Sequence, residues 1–108
     1  MKKTAENVNS DEIKGIGVSG QMHGLVVLDE NNEVLYDSII WCDQRTEKEV
    51  NQIIDTIGKE RYIDLTLNAP NTSFTLSKLL WLKNNEPDIF FKNTKRCFLP
   101  KGLHKFFA

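Results

Sequence analysis

Hydrophobic positions in this chain follow two rhythms, a short extended one in the first 45 residues and a helical one after them. The stretch 13–19 is rich in β-branched residues (Ile13, Ile16, Val18) and reads as a strand. Leu25-Val26-Val27-Leu28 reads as a second strand. Asp29-Glu30-Asn31-Asn32-Glu33 is a turn signal, and Val34-Leu35-Tyr36 returns as a third strand, so the pattern predicts a hairpin. Ser38-Ile39-Ile40-Trp41 is a further extended segment. Beyond it, Val50, Ile53, Ile54 and Ile57 recur at i, i+3, i+4 and i+7 and make one apolar helix face. Thr46-Glu47-Lys48-Glu49 spells a capping box ahead of that helix, and Gly58 is placed to stop it. Residues 59–67 predict another short helix, and Asn68-Ala69-Pro70-Asn71 a loop. Ser73 or Thr75 can cap the next helix, where Leu76, Leu79, Leu80 and Lys83 share a face that Trp81 and Leu82 widen. Pro87 suits the first turn of a helix over 87–92. Arg96-Cys97-Phe98-Leu99 reads as a strand returning to the sheet, and Leu103, Phe106 and Phe107 as a closing helix. Residues 1–12 form a polar stub, and the segments contain no repeat.

Composition narrows the class. A chain of 108 residues with 40% apolar and 27% charged residues fits one small globular domain. A net charge of −1, with both signs mixed, offers no field for nucleic acid or an anionic membrane. No apolar run approaches the roughly 20 residues of a bilayer span. No apolar core follows Lys2 and Lys3, so the expected location is cytoplasmic. Cys42 and Cys97 lack metal or redox spacing and are expected as free thiols. The pattern also predicts a chain cut at both ends. It enters a buried strand with no partner strand before it and ends on Phe106-Phe107-Ala108 without a cap.

Candidate chemistry gathers after the strand ends. Ser19-Gly20-Gln21-Met22-His23-Gly24 is a polar step between two apolar runs, where open α/β sheets place ligands. His23 can act as general base, metal ligand or hydrogen-bonder to a substrate, or it can be an ordinary satisfied loop histidine. It has no carboxylate at metal-ligand spacing. Trp41-Cys42-Asp43-Gln44-Arg45 is the second cluster. Asp43 can bind hydroxyls or cap the following helix; Trp41 can line a sugar site or belong to the core; Trp81 reads as core. Gly15-Ile16-Gly17-Val18-Ser19-Gly20 spells G-x-G-x-x-G, but the glycines fall inside the expected strand and lead into another strand rather than a helix.

Three stretches, 13–24, 26–30 and 39–46, with 71–83, 86–90 and 98–101 following in order, resemble the FGGY carbohydrate kinases. Within that family they are most similar to the members that phosphorylate D-xylulose. The resemblance covers nearly the whole chain from Ile13 onward. It implies an α/β fold: part of an actin-like, ribonuclease-H-like domain, a mixed sheet with flanking helices, truncated at both ends. Residues 13–108 would be the sugar-binding side of the first lobe. The implied reaction moves the γ-phosphoryl group of ATP to a hydroxyl of D-xylulose, giving D-xylulose 5-phosphate. Gluconate or another ketose is the alternative substrate, because related gluconate kinases carry a similar Met-His step. Met22 and His23, with Gln21, would contact the sugar, and Trp41 and Asp43 would lie near the same pocket.

ATP and Mg2+ are the cofactors implied for the intact enzyme and are not expected to bind well here. No Asp-x-Gly-Thr phosphate turn occurs in residues 1–12. The general-base aspartate and the nucleotide-holding lobe are expected beyond Ala108, so the isolated chain is expected to be inactive. Gly102 stands where an acidic residue commonly follows Pro-Lys in the family. The rival readings are a stand-alone actin-like assembly module without catalysis and a nicotinamide-cofactor fragment. An exposed sheet edge or apolar surface predicts self-association.

Overall fold

Val26, Val27 and Leu28 are buried on both faces, and their backbone pairs on both edges. They form strand β1 (Val26–Leu28) of a computed structural model that describes residues 9–15, 17, 19–93 and 95–98. On one edge β1 runs antiparallel to β2 (Arg96–Phe98), in the register Val26↔Phe98, Val27↔Cys97 and Leu28↔Arg96. The other edge carries two isolated antiparallel bridges, Leu28↔Val34 and Leu25↔Ile39. The Leu25–Ile39 bridge exchanges both amide hydrogen bonds, at 2.9 and 3.2 Å. Between them Asp29 Oδ1 accepts from the amides of Asn31 (2.8 Å) and Glu33 (2.9 Å), and Asn32 takes a left-handed φ of 69°. A short acceptor side chain and an asparagine that tolerates positive φ are what turns this tight require. The expected hairpin is therefore present in its turn. Its return arm and the segment Ser38–Trp41 are single bridges rather than strands.

Of the strand expected over 13–19, Ile16 and Val18 lie outside the described residues, and the described ones form no strand. The described residues there are irregular, and Ile13 is 44% exposed. A strand is held by its ladder, and no described segment pairs with this one; β-branched side chains alone leave the backbone groups to water. Gly15 and Gly17 have open space where a Cβ would stand, so no neighbour packs against them either. The glycines thus lie in irregular backbone, not in a strand, and Gln21–Gly24 leads from them into β1 without opening a helix. The ladders seen among the described residues are antiparallel.

The helices form at the expected places, although Ile57 and Leu76 of the expected apolar faces are exposed. Helix α1 (Glu47–Ile57) buries Ile53 and ends at Gly58, whose φ of 85° few other residues adopt. Helix α2 (Lys59–Thr66) buries Tyr62 and closes on a left-handed Leu67, one residue earlier than the expected range. Helix α3 (Thr75–Asn85) packs against α1 and buries Leu82 completely. Leu82 joins Leu25, Val27 and Ile39 in the core, with Leu79, Trp81, Ile89 and Phe90 packed around them. After a short turn at Pro87, Ile89–Asn93 winds as a π-helix rather than the plain helix expected over 87–92. Leu103, Phe106 and Phe107 lie outside the described residues. No described helix is long and apolar enough to cross a membrane.

Two expected caps are replaced by tertiary contacts. Thr46 makes no side-chain cap bond; it is fully buried, and its hydroxyl points to Thr72 and Ser77. Glu49 does not reach back to Thr46, and its Oε1 accepts from Asn84 Nδ2 on α3 at 3.2 Å. Neither Ser73 nor Thr75 caps α3, whose N-cap position is an extended Phe74. At Thr46 and Glu49 the local motif lost to partners some 26 to 35 residues away that burial makes more valuable.

Candidate functional site

The step from irregular chain to β1 turns at His23, which holds φ at 59°. A left-handed non-glycine residue costs about 1–3 kcal/mol and persists only where its surroundings fix it. Here Gly24 and Leu25 follow as buried residues, and the imidazole meets Phe74 edge-on at 4.8 Å with an interplanar angle of 78°. The turn directs His23, Met22 and Gln21 toward one cavity of about 340 Å³, lined also by Gly20, Trp41 and Ser73. Trp41 is 52% exposed, so it is a wall of this cavity and not core. Trp81 is packed against the core instead.

The far wall is the loop Asn71–Phe74, gripped from below by buried polar groups. Ser77 Oγ lies 2.8 Å from the Phe74 carbonyl, the shortest of its carbonyl contacts. Thr46 Oγ1 sits 3.2 Å from both Ser77 Oγ and the Thr72 carbonyl, and its single proton serves one of them at a time. Lys78 is fully buried, and its Nζ donates to the Thr72 carbonyl at 3.0 Å and to the Ser73 carbonyl. Burial pulls the Lys78 ammonium below its ordinary pKa, while Asp43 and Cys42 nearby act in the opposite sense. Thr72 Oγ1 also donates to Gln44 Oε1 at 2.6 Å, tying this loop to the segment after Trp41.

Of the residues singled out from the sequence, Gln21, Met22, His23 and Trp41 come together. Asp43 is not among the residues lining their cavity. Its carboxylate accepts from Arg45 Nε at 3.0 and 2.9 Å and pairs with Nη2 at 2.7 Å. It also accepts from the Arg45 amide at 3.0 Å. The hydrogen bonds from Arg45 hold the Asp43 carboxyl below its ordinary value, against a smaller opposing effect of burial. Arg45 in turn lies over the Trp81 ring, 4.8 Å from its centroid. A second cavity of about 450 Å³ is lined by Val34–Ser38 and Arg45 and shares no residue with the first. Its arginine is already engaged by Asp43, so it offers a ligand little uncompensated charge.

Ser73, Phe74 and Lys78 were missed as site residues. Ser73 read as a helix cap, and Lys78 was not singled out on its helix, where Lys83 was placed with the apolar face. Their one sequence signal was the position of Asn71-Thr72-Ser73-Phe74 inside the stretch that carries the family resemblance. Among the described residues no group of three or more His, Cys, Asp or Glu is placed to hold a metal ion. No glycine-rich turn among them opens a helix. The cavity can instead take a small neutral polar molecule. It is mostly apolar, with an indole face for C–H groups and an imidazole and a hydroxyl for hydrogen bonds.

Known proteins agree on the family. Residues 1–104 match the model of the N-terminal domain of the FGGY family of carbohydrate kinases. The xylulose kinase of Lactococcus lactis subsp. lactis is 46% identical over 90 residues, which are 83% of this chain and 18% of that protein. That of Bacillus subtilis is 42% identical over 100 residues, 93% of this chain and 20% of its own length. The crystal structure of a xyloylose kinase from Brucella ovis superposes with a TM-score of 0.82 at 34% identity, covering 96% of this chain and 21% of that one. The chain thus spans about a fifth of the length of the relatives it matches. Carried by a family match over nearly its whole length, the chain belongs to the FGGY family of carbohydrate kinases.

Proposed function

We propose that this chain is part of the sugar-binding lobe of a xylulose kinase, in which D-xylulose occupies the cavity between Gln21–His23, Trp41 and Ser73. The observation that carries this reading is the convergence of Met22, His23 and Trp41 on one cavity in a chain that is 35–46% identical to several xylulose kinases. His23 would donate or accept a hydrogen bond at a sugar hydroxyl, and Trp41 would pack on C–H groups. Asp43 would act at one remove, through Arg45, unless the intact protein brings it to the pocket. Phosphoryl transfer depends on positioning and charge stabilisation, and these residues supply the positioning.

In the intact enzyme ATP would supply the γ-phosphoryl group, with Mg2+ to neutralise it, on parts this chain does not contribute. Residues 13–108 would belong to an actin-like lobe with a mixed sheet, of which β1 is one strand. The isolated chain would be inactive, cytoplasmic and prone to self-association through exposed apolar residues such as Leu65, Leu67 and Phe91. Its balanced charge favours a small-molecule ligand over nucleic acid or a membrane. Gluconate is the second reading, favoured by a TM-score of 0.75 to a gluconate kinase from Lactobacillus acidophilus.

Saturation-transfer NMR on the pure chain tests the reading. D-xylulose should give a signal that His23→Ala removes, and D-gluconate a weaker one. An equal signal from the His23→Ala variant, or a preference for gluconate, would contradict it. ATP turnover in the presence of D-xylulose by the chain alone would contradict its inactivity.

A further inference from the structure

Lys78 stands out among the groups that the proposed sugar site does not use directly. It is an ionisable side chain with no exposed surface, on the first turn of α3, and its described partners are two consecutive main-chain carbonyls, those of Thr72 and Ser73. Ser73 itself lines the cavity, and Phe74, the next residue, meets His23. Asp43 and Cys42 are the groups whose charge it feels.

A buried ammonium is expensive, and a methionine of similar length would fill the same apolar space without that expense. Thr46 and Ser77 already bond the loop at the Thr72 and Phe74 carbonyls. What Lys78 adds is the Ser73 carbonyl, which lies outside the carbonyls that the two hydroxyls bond. Charge-assisted bonds to two adjacent carbonyls hold the two peptide planes that meet at the Ser73 Cα, and with them the direction of its Cα–Cβ bond.

We infer that Lys78 is a positioning residue for the ligand cavity: by clamping the Thr72 and Ser73 carbonyls it sets the Ser73 hydroxyl and the Phe74 ring against His23. The inference rests on the proposed sugar site for its consequence in binding, but not for its geometry. Lys78 therefore tunes the fit of a polyhydroxylated ligand without touching it. A change confined to Lys78 should weaken binding much more than it weakens the fold.

The test compares Lys78→Met and Lys78→Arg with the unaltered chain. Without ligand, two-dimensional NMR should show the amides of Thr72, Ser73 and Phe74 and the His23 ring signals displaced in Lys78→Met. The amides of Ile53 and Tyr62 should stay in place, and Lys78→Arg should fall closer to the unaltered chain. With D-xylulose, Lys78→Met should raise the dissociation constant about tenfold, whereas a core variant, Ile53→Val, should leave it within about twofold. Unmoved Ser73 and His23 signals, or an unchanged dissociation constant, would overturn the inference. If Lys78→Met does not fold, Lys78→Gln, a neutral donor of shorter reach, is read by the same criteria. Absence of D-xylulose binding by the unaltered chain would defeat the sugar-site reading, while the ligand-free signals still decide the clamp.

Discussion

The two walls of the cavity are built on different principles. The Asn71–Phe74 wall rests on three buried polar side chains, Thr46, Ser77 and Lys78, beneath it and on an exposed one, Gln44, at its side. The Gln21–His23 wall has the Phe74 contact and the buried Gly24–Leu25 anchor, and Gln21 and Met22 are exposed. A wall held by satisfied buried bonds keeps its shape, because each lost bond leaves a dry polar atom. The Gln21–His23 wall is held by fewer contacts, one aromatic edge and the buried residues that follow it.

That contrast can be broken at several points. The largest effect should come from beneath both walls: Leu82→Ala, at a fully buried core position, should lower unfolding free energy by about 2–5 kcal/mol in urea titration. A loss under about 1 kcal/mol would mean the core does not support the site. Ser77→Ala should cost about 1–3 kcal/mol, by orphaning the Phe74 carbonyl. Amide exchange should then quicken over residues 71–74 and stay unchanged at 21–23; equal quickening on both sides would erase the distinction between the walls. His23→Gly relieves the left-handed backbone but adds chain entropy, so stability should shift by no more than about 1 kcal/mol while the sugar signal is lost. A large destabilisation would make His23 a structural residue.

The smallest effect concerns the pair beside the cavity. The folded-state pKa of Asp43 is lowered, so its contribution is fully present above the ordinary value of 3.8 and is lost as pH falls through the folded value. The Arg45 side chain is 39% exposed, so solvent screening limits the contribution to less than about 1 kcal/mol. Asp43→Asn should flatten the acid limb of the stability profile by that amount and leave sugar binding within about twofold. A loss of binding would place Asp43 in the pocket after all.

Apolar periodicity was readable in part: Ile53 and the Leu25–Leu28 run are buried as their pattern implies, whereas Ile57 and Leu76 are exposed and α3 buries Ser77, Lys78 and Leu82 rather than the face its spacing implied. The turn at Asp29–Glu33 and the stop at Gly58 were readable because the chemistry is local. The described residues of 13–19 were misread because a strand needs a partner, and composition cannot supply one. Thr46 and Glu49 were misread as a capping box because their true partners lie far along the chain, and Ser73 because the N-cap position falls on the extended Phe74 after it. Met22, His23 and Trp41 were legible through the family resemblance, yet the wall opposite them was not. Its determinants are a lysine and a serine on α3, and nothing in their spacing distinguishes a buried clamp from an ordinary helix face.

The central claim is that a sugar sits between these two walls, and a residue-resolved NMR titration of the chain with D-xylulose tests it most directly. Saturable shifts should appear at Gln21, Met22, His23, the Trp41 indole N–H and Ser73, with Tyr36, Ser38 and Arg45 unmoved. Shifts centred on Tyr36–Ser38 and Arg45, or none at the cavity at saturating sugar, would contradict the account.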